Sequence, residues 1–430
     1  NISFIHVKTN QSCIEIALAA RLSACKNDKK IKPDMINGES KDSVFTSFSV
    51  FVPENETISA DKVITIYTSK DRYAKNPPLV RCISALKKAG SFDKILYYSE
   101  KAWDKIWKET NIKIQGIDRV QKLIRLNIYH LMITVSPHNV NIDGGFPARG
   151  LHGEAYRGHI FWDELFVLPF YNIHFPEVSR SILLYRYRRL NAARKNAADK
   201  GYKGALYPWQ SGSDGSEQSQ VIHLNPVSGE WDVDYSALQY HVTLAVALNI
   251  WQYYQMTGDI DFIEKYGAEI FFEICRFWVS KVVYNEKTQR YEISGVMGPD
   301  EYHEKYPASD KAGLKDNSYT NIMVAWLFRK ALIILDILKR NSKTSSLEKI
   351  NFKESETKRW QEISRRINLV ISEDGIISQF DGYFDLKELD WKEYLARSNK
   401  IDRIDRLLKA EGLSPDEYKV SKQADVLMAF

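Results

Sequence analysis

The sequence predicts a mainly helical protein, an α/α toroid preceded by the last strands of a β-sandwich. Three observations carry that prediction. Before residue 70 the apolar residues fall in short β-branched and aromatic runs, whereas from Asp118 onward they recur at helical spacing. The stretch 235–256 is apolar nearly all the way round, as a helix packed on both sides must be. Long loops rich in Gly and polar residues join the helical stretches, which suits a ring of helices with a site built by loops at one end.

Taken in order, residues 2–7, 48–52 and 63–67 read as strands, and the charged stretch 26–41 reads as a loop between the first two. Residues 84–88 and 101–108 read as short connecting helices, the second with Trp103 and Trp107 on one face. Val120, Leu123, Ile124, Leu126, Ile128, Leu131 and Met132 mark a long buried helix from Asp118 up to Pro137. Helical runs follow at 166–170 and 182–190. Gly258 closes the apolar helix 235–256. Asp259 or Asp261 caps the next, with Glu264 in capping-box position after Asp261. That helix carries Phe262, Ile263, Tyr266, Ile270, Phe271, Ile274, Phe277 and Trp278 along one stripe. Residues 319–338 and 354–371 are the last long helices, the second amphipathic through Trp360, Ile363 and Ile367. The charge-rich run 339–356 reads as a solvated connection.

Composition narrows the function classes. A chain of 430 residues has room for two or three domains, or for one large helical barrel using most of it. Its 44% hydrophobic and 27% charged residues are those of an ordinary globule. The net charge of +5 is spread along the chain, so no nucleic-acid track stands out. No run approaches a membrane span and no signal peptide is visible. Cys13, Cys25, Cys82 and Cys275 show no CxxC spacing, which fits reduced thiols and a cytoplasmic location. The chain starts at Asn1 rather than Met and stops inside the apolar run 426–430, as a segment cut from a longer protein would.

The chemistry gathers in loops. Gly298-Pro299-Asp300-Glu301-Tyr302-His303-Glu304 follows a strand-like run, 290–297, and the Gly-Pro pair forces a turn that presents three carboxylates and an imidazole. The loop 144–164 mixes Gly, polar and aromatic residues. Trp209 and Gln210 set an aromatic beside an amide on a second turn, and Lys422, Gln423 and Asp425 sit just before an apolar run. A sugar asks for this mixture: planar donors and acceptors for vicinal hydroxyls, and an aromatic face for the C–H side of the ring. His159 and Asp163 at i, i+4, with His152 nearby, have ligand-like spacing, but no HExxH pattern accompanies them, and hydrogen-bonding roles are expected instead. His241 is expected to be a satisfied buried histidine rather than a catalytic base. Arg149 and Arg157 read equally as anion or hydroxyl contacts and as loop anchors. Residues 379–384 read equally as an acceptor-side lining and as packing.

Four strings occur in a fixed order: Gly158-His159-Ile160-Phe161-Trp162-Asp163-Glu164, Pro208-Trp209-Gln210-Ser211, Gly298-Pro299-Asp300-Glu301-Tyr302-His303 and Lys422-Gln423-Ala424-Asp425. Together they resemble the inverting α-glucoside phosphorylases and hydrolases of glycoside hydrolase family 65, which includes maltose, trehalose and kojibiose phosphorylases. The resemblance runs from about residue 60 to the end. It implies the end of an N-terminal β-sandwich (1–70), a helical linker (71–117) and an (α/α)6 catalytic barrel (118–430) incomplete at its C-terminus. It implies Glu301 as general acid. Trp162, Asp163, Lys422 and Gln423 would hold the non-reducing glucose, with Trp209, Gln210 and Tyr302 also counted as substrate contacts.

The implied reaction is inverting cleavage of an α-linked glucose disaccharide by phosphate, releasing β-glucose 1-phosphate. Hydrolysis by water and an inactive sugar-binding fragment are the alternatives. In the family the phosphate cradle or hydrolytic base lies beyond the Lys-Gln-Ala-Asp motif, and this chain stops seven residues after Gln423. No metal or cofactor is implied, inorganic phosphate being a co-substrate. The expected partners are the disaccharide with phosphate or water, neither nucleic acid nor membrane, and a homodimer stays open. A general acid working near neutral pH needs its pKa raised by burial or by neighbouring carboxylates; Asp300 and Glu304 flank Glu301 in sequence.

Overall fold

The computed structural model describes residues 2–27, 29–71, 75–150, 156–397 and 403–430. The chain is mainly helical with an N-terminal strand region, and it divides into two compact units, Asn1–Gly144 and Gly145–Phe430. His152, weighed above as a metal ligand, lies outside the described residues.

In the first unit, β1 (Ser3–Lys8), β2 (Glu15–Lys26), β3 (Lys29–Ile31) and β6 (Ile58–Thr68) form an antiparallel sheet, with β2 paired to the other three. β4 (Met35–Ser40) and β5 (Ser43–Phe48) make a hairpin closed by the two residues Lys41 and Asp42. The stretch 26–41, expected to be a loop, therefore holds β3 and β4, and the strand expected at 48–52 ends at Phe48. Both strands are largely exposed on the two faces, so no buried face imposes an apolar alternation on their sequence. α1 (Pro78–Lys88) packs on β2 and β6, setting Cys82 and Leu86 against Ala17, Ala19 and Val63. The small alanines let the helix approach the sheet closely.

α2 (Phe92–Thr110) begins at Ser91, whose hydroxyl accepts from the Lys94 N–H. Trp103 stacks on Trp107 at 5.9 Å and meets Tyr129 of α3 (Asp118–Thr134) at 5.1 Å. The helix expected to be buried is buried only at Ile128 and Met132; Val120, Leu123 and Leu126 of its apolar stripe are exposed in this chain.

The second unit opens with α4 (Glu164–His174), α5 (Pro176–Arg188) and α6 (Leu190–Asp199), then a hairpin of β7 (Ile222–Leu224) and β8 (Trp231–Val233). The all-apolar helix is α7 (His241–Thr257), entered through a 3-10 turn at Ser236–Leu238 and packed by α4, α5 and two later helices, Ala268–Lys281 and Ser318–Arg340. Gly258, in the left-handed region at φ 66°, ends it. Asp259 rather than Asp261 caps α8 (Ile260–Phe262), accepting from the Phe262 N–H, and a π-helical turn runs on into α9 (Ala268–Lys281).

Short strands β9 (Val283–Asn285), β10 (Arg290–Glu292), β11 (Ser294–Val296) and β12 (Leu314–Lys315) precede α10 (Ser318–Arg340), α11 (Ser345–Lys349) and α12 (Glu354–Arg366). The core joins Phe272 of α9 to Trp360 of α12, rings stacked at 5.4 Å. α13 (Trp391–Arg397), α14 (Ile404–Ala410) and α15 (Asp425–Met428) are short. Among the described residues no helix is long and apolar enough to cross a membrane.

Candidate active site

The first wall of the site is built on a buried ion pair. Glu164 and Arg186 meet at 2.8 Å with each side chain 1% exposed. The Arg186 guanidinium also donates to the Phe161 carbonyl at 2.6 Å, while Glu164 accepts from the Phe146 N–H at 3.3 Å. The pair thus pins the backbone that carries Trp162 and Asp163. Ile160 and Ser211 exchange two backbone hydrogen bonds, which ties this loop to the Trp209 turn. Trp162 and Trp209 lie 6.1 Å apart, and His241 sits beneath both, 4.6 Å from Trp162 and 5.2 Å from Trp209. Burial pushes the His241 pKa down to about 3, so the ring is neutral and no base near neutral pH. It is buried as expected, with the Met297 backbone as the polar neighbour that partly offsets the effect of burial.

The second wall is the turn after β11. Asp300 is 1% exposed and accepts from the His303 ring at 2.8 Å, the Gln379 amide at 2.7 Å and the Lys422 N–H at 2.8 Å. The other His303 nitrogen faces the Tyr418 carbonyl at 3.0 Å, so both nitrogens donate and the ring is held as an imidazolium. Its pKa is raised, the Asp300 bond and charge outweighing burial. The Asp300 N–H donates to Asp425 at 2.6 Å, and Asn317 donates to the other Asp425 oxygen at 2.6 Å. Burial pushes the Asp425 carboxyl up to about 7. This network leaves Glu301 facing outward, 40% exposed, with its carboxylate accepting from Lys422 at 2.7 Å and Gln423 at 3.0 Å.

Between the walls lies a cavity of about 700 Å³. Of the residues singled out from sequence, Trp162, Asp163, Trp209, Gln210, Glu301, Tyr302 and Gln423 all line it. Lys422 does not; it reaches the site through its ion pair with Glu301. Gln210 is buried and shares a 2.8 Å hydrogen bond with His159, the hydrogen-bonding role expected of that histidine. Burial pushes Asp163 up to about 6, overcoming its own backbone N–H and Arg186. Asp425, grouped with the sugar-facing residues from sequence, instead stands behind the acid loop. Gln379 and Phe380 also pack behind it, not in the cavity. Arg149 lines the cavity, whereas Arg157 anchors a loop by donating to the Gln218 carbonyl at 3.1 Å. Among the described residues no group of three or more His, Cys, Asp or Glu is placed to hold a metal ion.

A third side of the cavity joins Glu304, which the sequence singled out only as a neighbour of Glu301, to three basic residues that sequence reasoning missed. Glu304, three residues after Glu301, lines it and is pushed up to about 7, mainly by burial and further by Asp416, Asp234 and Asp232, against the pull of Lys409. Arg403, Arg406 and Lys409, at and on α14, line it as well. Their stretch reads locally as a charged amphipathic helix with a solvated face, and no spacing marks it as functional.

A helical unit whose loops join an aromatic pair, a buried carboxyl and an exposed glutamate in one cleft defines a carbohydrate-processing module. Residues 125–430 match the glycosyl hydrolase family 65 central catalytic domain, and residues 1–106 match the glycosyl hydrolase family 65 N-terminal domain. The chain belongs to glycoside hydrolase family 65. It is 43% identical over 427 residues to an uncharacterized glycosyl hydrolase of Mycobacterium tuberculosis, covering 99% of this chain and 32% of that protein. Trehalose 6-phosphate phosphorylase of Lactococcus lactis is 40% identical, covering 98% of this chain and 52% of that enzyme. Kojibiose phosphorylase of Halothermothrix orenii is 35% identical, covering 99% and 55%. The chain thus spans about half or less of the length of these relatives. A solved human-microbiome chain assigned by name as a kojibiose phosphorylase shares the fold, with a TM-score of 0.78 over 100% of this chain and 53% of that one, at 24% identity.

Proposed function

We propose that the complete protein cleaves an α-linked glucoside with inversion, using inorganic phosphate as co-substrate, on an active site carried by an (α/α)6 barrel. The observation that carries this reading is the placement of Glu301 on a cavity wall shared with Trp162, Asp163 and Trp209, residues far apart in sequence. In this reading the glucose lies against the Trp162–Trp209 pair. Asp163 accepts from its hydroxyls, while Gln210, Tyr302, Lys422 and Gln423 complete its cradle. Donors of Lys422 and Gln423 that reach Glu301 are the ones that sugar hydroxyls recruit, which frees the Glu301 carboxyl for the glycosidic oxygen. Glu301 donates its proton there as the C1–O bond breaks, and phosphate attacks C1 from the opposite face. The names of the relatives, phosphorylases of α-glucosides, support phosphate over water as the attacking group.

The test is to incubate the complete protein with α-linked glucose disaccharides, with and without phosphate, and follow the first-formed product by NMR. β-Glucose 1-phosphate is expected, formed only with phosphate. β-Glucose formed without it would replace phosphorolysis by hydrolysis, and an α-configured first product would overturn inversion. Glu301→Gln is expected to lower turnover on natural disaccharides about 10²–10⁴-fold, the usual contribution of a general acid. Substrates with good leaving groups should lose far less.

A second reading of the proton donor is favoured by Glu304, whose carboxyl is held near neutrality by burial in the same cavity. If Glu304→Gln, and not Glu301→Gln, shows the leaving-group-dependent loss, the acid is Glu304.

A further inference from the structure

We propose that the sugar leaving this site carries a phosphate monoester, held by a basic stripe centred on Arg406. The inference rests on the phosphorolytic reading above and names the class of acceptor. Arg403, Arg406 and Lys409 recur at three-residue spacing, so the start and body of α14 turn one basic edge to the cavity that Glu301 lines.

Their partners differ. Arg403 is taken up by Asp405 through two hydrogen bonds of 2.8 and 2.5 Å. Lys409 lies 3.6 Å from Asp232, and His223 stands 3.7 Å from Asp234. Among the described residues the Arg406 guanidinium has neither a hydrogen-bond nor an ion-pair partner, although it is half-buried and its backbone is fixed by Asn225, which donates to the Arg406 carbonyl at 3.3 Å. A guanidinium set in a cleft wall, with Asp405 hydrogen-bonded by Arg403 and Asp232 beside Lys409, keeps its fork of donors for an anion.

The position favours the leaving sugar. The glucose side of the cavity is marked by Trp162, Asp163 and Trp209. The α14 stripe groups instead with the β7–β8 hairpin, through Asn225 and Asp232. Arg403 acts electrostatically on Glu301, so the stripe borders the proton donor. Glu304, the remaining carboxyl on this side, is pushed up to about 7 by burial and so opposes an anion less than a fully ionised carboxylate would. A phosphate monoester supplies the planar-fork match and a charge near −2.

The test runs the complete protein in the synthetic direction. β-Glucose 1-phosphate is the donor, and matched pairs of hexose and hexose 6-phosphate are the acceptors. An acceptor hydroxyl attacks C1, the C1–O bond to phosphate breaks and releases inorganic phosphate, and the hydroxyl proton passes to the ionised Glu301 carboxylate. The phosphorylated acceptor is expected to be preferred at least about 100-fold in kcat/KM, the worth of two charge-assisted hydrogen bonds. Arg406→Met should narrow that preference by about 10–100-fold, mostly through acceptor KM, and Arg406→Lys should fall between. Equal use of both acceptors overturns the inference. So does an Arg406→Met variant that keeps the preference but raises the KM for inorganic phosphate in the forward direction; the stripe would then hold the attacking phosphate. If neither acceptor is glucosylated and no α-glucoside is phosphorolysed, the phosphorolytic reading itself falls and this inference with it.

Discussion

Asp300 is the residue on which the placement of Glu301 depends, and it makes its contacts behind the cavity wall. Its carboxylate gathers His303 within the loop, Gln379 and the Lys422 N–H, so one side chain joins two distant segments to the acid loop. Asp300→Asn keeps the size but puts an N–H₂ among donors. It should lower kcat by about 10–100-fold with little change in KM, since misplacing an acid costs rate more than binding. It should also remove the raised titration of His303 from an NMR pH series; an unchanged His303 titration would refute the pairing. Gly298 is fixed for a steric reason: an added Cβ would stand 2.1 Å from an Asp425 oxygen and 2.3 Å from the Asn317 amide. Gly298→Ala should therefore break the Asn317–Asp425–Asp300 chain and reduce activity as Asp300→Asn does. Trp162, Asp163, Trp209 and Glu301 were legible in the sequence because each lies in a compact polar-aromatic string. Asp300 and Asp425 sit in the same strings, but their partnership spans 125 residues and leaves no local pattern.

At the scale of the element, α4 and α5 show how a fold delivers a site. Glu164 opens α4, Arg186 lies near the end of α5, and their ion pair fixes the loop just ahead of Trp162. Breaking such a pair by removing one partner leaves an uncompensated buried charge. Arg186→Met should cost about 3–5 kcal/mol in denaturant unfolding. Glu164→Gln with Arg186→Met together should cost clearly less than the two single changes added. Strict additivity would show that the pair is not coupled. The long helices α7, α9 and α10 were legible from their apolar faces, which the core dictates. The hairpin β4–β5 and the helix α14 were not, since their residues are chosen for solvent or for a cleft rather than for a buried face.

For the whole molecule, the shifted groups combine into one pH dependence. Asp163, Glu304 and Asp425 have folded-state pKa values raised to about 6, 7 and 7, and that of His303 is raised too. Each holds a proton in the folded chain that the unfolded chain has already released. Their contribution is therefore fully present at low pH and is lost as pH rises through the folded values. Asp405, Glu356 and Asp214 are lowered by their partners, so their contribution is lost as pH falls below the usual carboxylate range. Stability should peak on the mildly acidic side, at about pH 5, and decline toward pH 8. Glu304→Gln should flatten that decline by an amount on the order of 2 kcal/mol. A melting temperature that rises steadily from pH 5 to pH 8 would contradict the assignment.

The tie between Asp300 and the segment that ends at Asp425 also sets a timetable. A ribosome delivers the acid loop more than a hundred residues before the strand of chain that fixes it. The helices around α7 and α10 have their partners early, but the cleft acquires its geometry only when residues 416–425 have emerged and docked. Until then Asp300 is present but Asp425, which accepts from its backbone N–H, is not. A nascent chain halted before residue 416 would be largely helical yet unable to orient Glu301, so helix formation and competence for catalysis are separate events in the making of this protein.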